Sequence, residues 1–365
     1  MKIMFATDNL SSGGVQRQII NLSNYLVKDN EITICVYDNN NNFFLKELNK
    51  KVKFNYPEKN LIKNHLRILL WFIRNMKNNY DCIISFQPSV NIIISFLNLF
   101  FKRKHINVEM SIYDKSQGKF KRYIANIFNC FCGNVVCNSF YHKKYLRKNF
   151  FAPKKIQVIW NGFQIKKVKN DNIVFKKKNN ILVVGNISYP KNGLRIIKAI
   201  NLFYKRNGYI PSLNWVGRKD KAPSSLLIQK QIEKYISNNK ILKTKINFLG
   251  EVSESKLNDL FLSSDFLLSA SIYEGLPNVI CEAMICKTPI IASKISDNYK
   301  IIGNNERGLL CNPLSSLSIC RSIEKFYSLD NSELTYIKSS AFNFAKVNFS
   351  ISKISEQYLN IINQI

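Results

Sequence analysis

The chain contains no C-x-x-C pair, and its three histidines are too few to complete zinc sets with its nine cysteines. Cys35, Cys82, Cys130, Cys132, Cys137, Cys281, Cys286, Cys311 and Cys320 are therefore expected as reduced core residues, the usual fate of a free thiol. No apolar run approaches the roughly 20 residues needed to cross a bilayer. The longest, around 68–73 and 92–101, fall well short, so no transmembrane helix is expected. Residues 1–7 lack an apolar stretch with a small-residue cleavage site and read as a first strand, which predicts a cytoplasmic protein. Acidic residues are also scarce. Asp and Glu number 24 against 54 Lys and Arg, a formal charge of +30. Two explanations stand for this excess: a polyanionic partner or surface, or a compositional bias toward Lys and Asn such as the run 39–42 shows.

What is present is a globular composition, 46% hydrophobic over 365 residues, enough for two domains with their own cores. Short apolar runs at 2–7, 32–37, 52–54, 82–86, 106–108, 135–137 and 157–159 read as strands separated by helical stretches. Such alternation predicts a parallel, doubly wound sheet. A basic amphipathic helix is expected over 59–78, either packed on the sheet or lying on anionic lipid. The polar, Lys- and Asn-rich stretch 166–180 reads as a linker. The pattern then restarts, with strands at 181–184, 213–216, 246–249, 266–268 and 290–292 and helices between them. Three more helices, 317–326, 332–343 and 351–362, follow with no strand after them, so the last is free to cross back to the first domain. The expected domains are 1–165 with 350–365, and 178–349.

Ligands of open α/β sheets bind beyond the carboxyl ends of the strands, and each candidate motif falls at such an end. Ser11-Ser12-Gly13-Gly14-Val15-Gln16-Arg17 follows the first strand. Its glycines permit close backbone approach to a phosphate or sugar, or simply form a turn; the spacing is not the dinucleotide fingerprint G-x-G-x-x-G. Gly185-Asn186 through Lys191-Asn192 follows the strand at 181–184, with Lys191 just ahead of a helix, and Val216-Gly217-Arg218 ends another strand. Glu251 and Glu254 either line a base pocket or are exposed acids. The fullest stretch is Ser271-x-x-Glu274-Gly275-Leu276-Pro277-Asn278-Val279 through Glu282-Ala283-Met284. Here a helix expected to begin at about Pro277 has one acid in the loop before it and another about a turn and a half inside. A helix start offers unpaired N–H groups and partial positive charge to a phosphate.

In this order, with Phe248-Leu249-Gly250 and Gly308-Leu309-Leu310, these motifs resemble glycosyltransferase family 4. The resemblance spans nearly the whole chain and is strongest over 181–312. It implies a GT-B fold, two Rossmann-like parallel-sheet domains facing a central cleft. It also implies retaining transfer of a hexose or N-acetylhexosamine from a nucleotide-diphosphate sugar, a uridine nucleotide being the favoured donor. By the family pattern Glu274 contacts donor-sugar hydroxyls, Glu282 binds the ribose, the 275–278 amides hold phosphate, and Lys191 binds the diphosphate. Gly14, Asn186, Gly217, Arg218, Leu276, Pro277 and Val279 complete the donor side, while Gly13, Gly14 and Arg17 form a loop facing the reaction centre from the acceptor side. The family typically needs no metal or other cofactor, and there is no Asp-x-Asp. Cationic and dipolar groups would take the metal's place against the departing diphosphate.

The chain departs from the family pattern twice. Many relatives carry Arg where Asn186 stands, a missing positive charge that either Arg195 or Arg218 replaces or that leaves donor affinity lower. Many also carry a first-domain His near the donor sugar; the local equivalent, 106–111, offers Glu109 instead, either a catalytic carboxylate or an edge-exposed Glu. The expected function is a peripheral enzyme at the inner face of the cytoplasmic membrane, building O-antigen, capsule or lipopolysaccharide on a lipid-diphosphate acceptor. The anionic membrane would meet basic first-domain residues such as Lys115, Lys119, Lys121, Arg122, Lys143, Lys144 and Arg147. A nucleic-acid-binding protein is the rival that the charge suggests, but it leaves the Glu274 and Glu282 pair unexplained, so no nucleic-acid partner is expected. A GT-B homologue of other chemistry, an epimerase or an inactive scaffold, is the third reading.

Overall fold

The computed structural model describes the chain apart from residues 41, 59–60, 62–63, 111–118, 149–152, 154 and 166–176, and apart from the side chains of 119–123. The contacts divide it into two compact units, Met1–Gln164 with Asn348–Ile365, and Ile165–Val347.

In the first unit, β1 (Lys2–Thr7), α1 (Gly14–Leu26), β2 (Glu31–Val36) and β3 (Lys53–Asn55) are followed by α2 (His65–Met76), β4 (Cys82–Phe86), α3 (Pro88–Phe101) and β5 (Lys104–Glu109). Then come α4 (Lys119–Cys132), β6 (Asn134–Cys137), α5 (Phe140–Arg147) and β7 (Lys155–Val158). The strands form a seven-stranded parallel sheet in the order β3-β2-β1-β4-β5-β6-β7. The order reverses between β1 and β4, and the glycine-rich loop leaves β1 at that switch point. Alternation along the strands gives the sheet two different faces. One, carrying Ile3, Phe5, Ile34 and Ile84, is covered by α1 and by the last helix of the chain, α14 (Ile351–Gln364), which buries Ile354, Tyr358 and Ile362. Phe163 and Ser350 form a parallel bridge beside it, so the chain end does cross back to the first unit. The other face, carrying Met4, Ala6 and Ile83, is covered by α2 and α3.

The second unit contains β8 (Asn180–Val184), α6 (Gly193–Asn207), β9 (Ser212–Val216), α7 (Pro223–Ser237), α8 (Lys240–Lys245), β10 (Ile246–Gly250) and α9 (Glu254–Ser263). It continues with β11 (Phe266–Ser269), α10 (Asn278–Ile285), β12 (Ile290–Ser293), α11 (Asn298–Ile302), β13 (Leu309–Cys311), α12 (Ser316–Ser328) and α13 (Asn331–Asn348). Its six-stranded parallel sheet runs β10-β9-β8-β11-β12-β13, with the switch between β8 and β11. The loops that carry Lys191 and Glu274 leave these two neighbouring strands.

Several elements differ from the sequence reading. Helix α2 begins at His65, not at 59, because the Asn64 side chain accepts the Arg67 N–H and caps it there. Its Ile68, Phe72 and Met76 pack on the sheet, so it is a sheet-covering helix; Lys59 and Lys63 lie outside the described residues. Helices α8 and α11 and strand β13 were not anticipated, each being only three to six residues long. Helix α10, by contrast, starts at Asn278, within a residue of the expected start, with Pro277 as its extended cap (φ −78°, ψ 100°).

Candidate functional site

The second unit brings its motifs together at the carboxyl edge of the sheet. Strands β8, β9 and β10 run out in Gly185, Gly217 and Gly250, all at positive φ. The Gly185 N–H donates to the Val216 carbonyl and the Gly217 N–H to that of Gly250, both at 2.8 Å. A Cβ on Gly217 would stand 2.2 Å from the Gly185 carbonyl oxygen, so no other residue fits this approach. Beyond Gly185 the chain makes a short 3-10 turn at Tyr189–Lys191, and Asn192 enters α6 in the left-handed region at φ 62°. Buried Asn192 fixes this turn. Its side-chain amide donates to the carbonyls of Ala270, at 2.9 Å, and Pro313, at 2.7 Å, and its oxygen accepts from Arg195.

That wiring delivers Lys191 to the loop after β11. The stem of Lys191 lies on Gly185, where a Cβ would meet its Cε at 2.7 Å. The Lys191 ammonium is ion-paired with Glu274 through Oε1, and Ser271 Oγ donates to the same oxygen at 2.8 Å. The two side chains are 23% and 17% exposed, shielded enough to interact well yet open to a ligand. The Ile272 N–H donates to the Pro190 carbonyl at 2.8 Å, and Ser296 Oγ to the Gly275 carbonyl at 2.9 Å, which pins both loops. Helix α10 then begins with no acid in its first turn and no side-chain cap. Glu282 is partly buried in its second turn, while Leu276 and Pro277 are buried. Asn186 is partly buried beside this turn, and Arg218 is exposed after β9. Glu251 and Glu254 are exposed, Glu254 in the first turn of α9, where helix polarity explains it.

The first unit places its candidates differently. Gly13 is the cap of α1 in extended backbone (φ 178°) and Gly14 its first residue. Arg17, expected with this loop, turns to the 3-10 helix Phe43–Glu47 instead, pairing with Glu47 and lying 4.4 Å over the Phe44 ring. Missed in the sequence were Asp8 and Asp38, each just past a strand in a chain poor in acids. Asp8 accepts the Asn9 N–H at 2.6 Å, and burial pushes its carboxyl above the ordinary range against that bond.

Glu109 is not the edge-exposed residue of the sequence reading. It ends β5, an interior strand of the sheet, and is wholly buried. Its Oε1 accepts from the amides of Asn91 on α3, at 3.2 Å, and Asn129 on α4, at 3.1 Å. The same face of β5 carries Asn107, bonded to Asn129 and Ser95, while Ser85 joins Asn107 to His105. This polar layer is sealed under α3 and α4. Burial lowers His105 to about 3 and His142 to about 4, so both are neutral imidazoles at physiological pH. Residues 111–118, Ser111 and Lys115 included, lie outside the described residues, and so do the side chains of Lys119, Lys121 and Arg122. The nine cysteines are free thiols. Among the described residues no helix is long and apolar enough to cross a membrane, and no three His, Cys, Asp or Glu stand together as a metal set.

Two family models match the chain: "Glycosyltransferase Family 4" over residues 12–167 and "Glycosyl transferases group 1" over 164–341. A relative from Campylobacter jejuni is the GalNAc-alpha-(1->4)-GalNAc-alpha-(1->3)-diNAcBac-PP-undecaprenol alpha-1,4-N-acetyl-D-galactosaminyltransferase, 24% identical over 100% of this chain and 99% of its own. The capsular polysaccharide biosynthesis glycosyltransferase CapH of Staphylococcus aureus is 23% identical over 82% and 83%. Among solved structures, HepE of Anabaena in complex with UDP-glucose superposes at a TM-score of 0.84 over both whole chains, at 18% identity.

Proposed function

The chain belongs to the family 4, group 1 glycosyltransferases, and on that premise we propose that it moves a hexose or N-acetylhexosamine from a UDP-sugar to a lipid-diphosphate-linked saccharide, with retention at the anomeric carbon. The pairing of Lys191 with Glu274 at the switch point of the second sheet carries this reading. A donor diphosphate needs a cation and its sugar needs a hydroxyl acceptor, and this pair supplies both on loops pinned to each other. Uridine is favoured by the HepE complex, and a lipid-diphosphate acceptor by the Campylobacter relative.

In the reaction the bond from the anomeric carbon to the diphosphate oxygen breaks, and a bond from that carbon to an acceptor oxygen forms. The acceptor's proton passes to the departing phosphate. Negative charge grows on the diphosphate, where the Lys191 ammonium and the backbone N–H groups of Gly275, Leu276 and Asn278 stabilise it. Glu274 receives hydroxyls of the donor sugar and holds Lys191 in reach. Glu282 takes the ribose, Gly217, Arg218 and Asn186 border the nucleotide, and the Gly13–Gly14 loop serves the acceptor side. The second unit is thus the donor-binding one, and the basic first unit meets the acceptor at the cytoplasmic surface of an anionic membrane.

The test is titration of purified protein with UDP- and GDP-sugars, followed by transfer to a short-chain lipid-diphosphate saccharide. Lys191→Ala is expected to weaken UDP-sugar binding about tenfold or more, in keeping with loss of a charge-assisted bond. Unchanged binding removes Lys191 from the diphosphate site.

A further inference from the structure

Helix α3 packs Val90, Ile94 and Leu97 on the sheet, yet it and α4 also bury polar residues and expose aromatic ones. On α3, Asn91 and Ser95 are buried, 1% and 2% exposed, whereas Phe96, Leu99 and Phe100 stand 40%, 47% and 71% exposed. On α4, Asn126 and Asn129 are buried while Phe131 is 60% exposed. The helices pack side by side, and their outward rings touch across the seam. Phe96 lies 5.8 Å from Phe100 and 6.5 Å from Phe128, and Phe128 lies 6.0 Å from Phe131, between ring centroids. Single exposed apolar residues are ordinary, but a joined aromatic patch marks a surface that meets something apolar. Val90, Ile94 and Leu97 pack on the sheet, and Asn91, Ser95 and Asn129 serve the polar layer beneath, so both helices are anchored without their outward rings.

The surroundings say what the patch meets. Exposed Arg74, Lys77 and Lys102 cluster where α2 and α3 end, and Arg103 ties the two ends together by donating to Asn79 at 3.0 Å. From 59 to 160 the acids are Asp81, Glu109 and Asp114, and Glu109 is buried. A second copy of a chain charged +30 would be repelled by this rim, whereas an anionic lipid surface is attracted to it. Phenyl rings with cations beside them at the end of α3 match the boundary between acyl chains and headgroups.

We propose that the exposed aromatic face of α3 and α4 inserts into the interfacial layer of an anionic bilayer, anchoring the protein by apolar contact as well as charge. Its purpose, though not its evidence, rests on the lipid-linked acceptor proposed above.

The experiment uses full-length protein with sedimented vesicles of phosphatidylglycerol and phosphatidylethanolamine. Phe100→Ser with Phe131→Ser is expected to lower vesicle partitioning by about tenfold per ring. Raised salt should weaken the wild type only in part. Phe100→Trp is expected to add tryptophan fluorescence that is quenched by lipids brominated on the acyl chain. Transfer to a short-chain, water-soluble acceptor should be unchanged in both variants, so that loss of docking is read apart from loss of transfer; wild type without any transfer overturns the functional reading alone. Equal partitioning of the double serine variant and wild type, or no quenching of the new tryptophan, overturns the insertion. So does a wild-type dimer in sedimentation that the serine variant breaks, since a second copy would then be the occupant.

Discussion

The two units share a doubly wound parallel sheet, yet they put their polar side chains in opposite places. The second unit carries Lys191 and Glu274 past the strand ends, on loops, paired but partly open. The first carries His105, Asn107 and Glu109 along the strand itself, closed over by Asn91, Ser95 and Asn129. Polar groups beyond a strand end can exchange their partner for a ligand. Those inside a layer cannot, because each bond lost there leaves a desolvated group behind. Chemistry is therefore expected to fail without unfolding in one unit, and stability to fail first in the other.

The largest effect tests the open pair. Glu274→Ala should lower turnover by about 10²–10³-fold, the range for losing one electrostatic contact to the reacting group, with the unfolding midpoint nearly unchanged. Near-normal turnover would move Glu274 out of the site, and a collapse in stability would make the pair structural.

The next effect tests the sealed layer. Asn129→Leu takes a donor from Glu109 and an acceptor from Asn107, and should destabilise the first unit by about 1–3 kcal/mol for each group left without its partner. Hydrogen exchange should rise across β4 to β6 and stay level in the second unit. A uniform rise would mean that the units do not unfold separately.

Why one arrangement was legible and the other not follows from the same contrast. Lys191 and Glu274 each sit in a loop between a clear strand and a clear helix, and strand-end loops are where ligands of such sheets bind. What spacing could not provide was the strand order that makes β8 and β11 neighbours. In β5 the alternation His105-Ile106-Asn107-Val108-Glu109 points by the ordinary rule to one wet face, and neither sequence reading of Glu109, a catalytic carboxylate or an edge-exposed one, places it in a sealed layer. The signal against that lay elsewhere, in Asn91, Ser95, Asn126 and Asn129 set at helical spacing within otherwise apolar helices. A polar stripe in an apolar helix reads as its outside until a polar strand face is found for it. Strand β13 escaped because three residues carry too little pattern to separate from a loop.

Acid sharpens the comparison with no mutation at all. His65, His105 and His142 all belong to the first unit, and the second contains no histidine. Burial depresses His105 and His142 to about 3 and about 4 from 6.5, so the unfolded chain takes up their protons first as pH falls. Their contribution is complete above pH 6.5, shrinks below it, and is gone once the folded values are reached. At pH 5 each should have given up roughly 2 kcal/mol. Protection free energies from exchange, corrected for the slower intrinsic rate at low pH, are expected to fall between pH 7 and 5 in the first unit and hold in the second. Equal sensitivity of both units would show that buried carboxylates, not histidines, govern acid stability here.

The smallest effect concerns a group between the two types. Asp8 lies past the end of β1, beside the glycine loop, yet burial raises its carboxyl above the ordinary 3.8. An acid with a raised folded value stabilises the fold below its unfolded value, and that contribution is lost as pH rises through the folded one. Asp8→Asn keeps the oxygen that accepts the Asn9 N–H and removes the charge. It should therefore raise the melting temperature slightly at pH 7, with the gain vanishing toward pH 3.8. A lower melting temperature at pH 7 would show that the ionised oxygen's bonds to Asn9 and Thr7 outweigh its desolvation. Turnover separates the remaining alternatives: a stabilised variant with full activity makes Asp8 a strained loop residue, and one with depressed activity makes its charge part of the acceptor side.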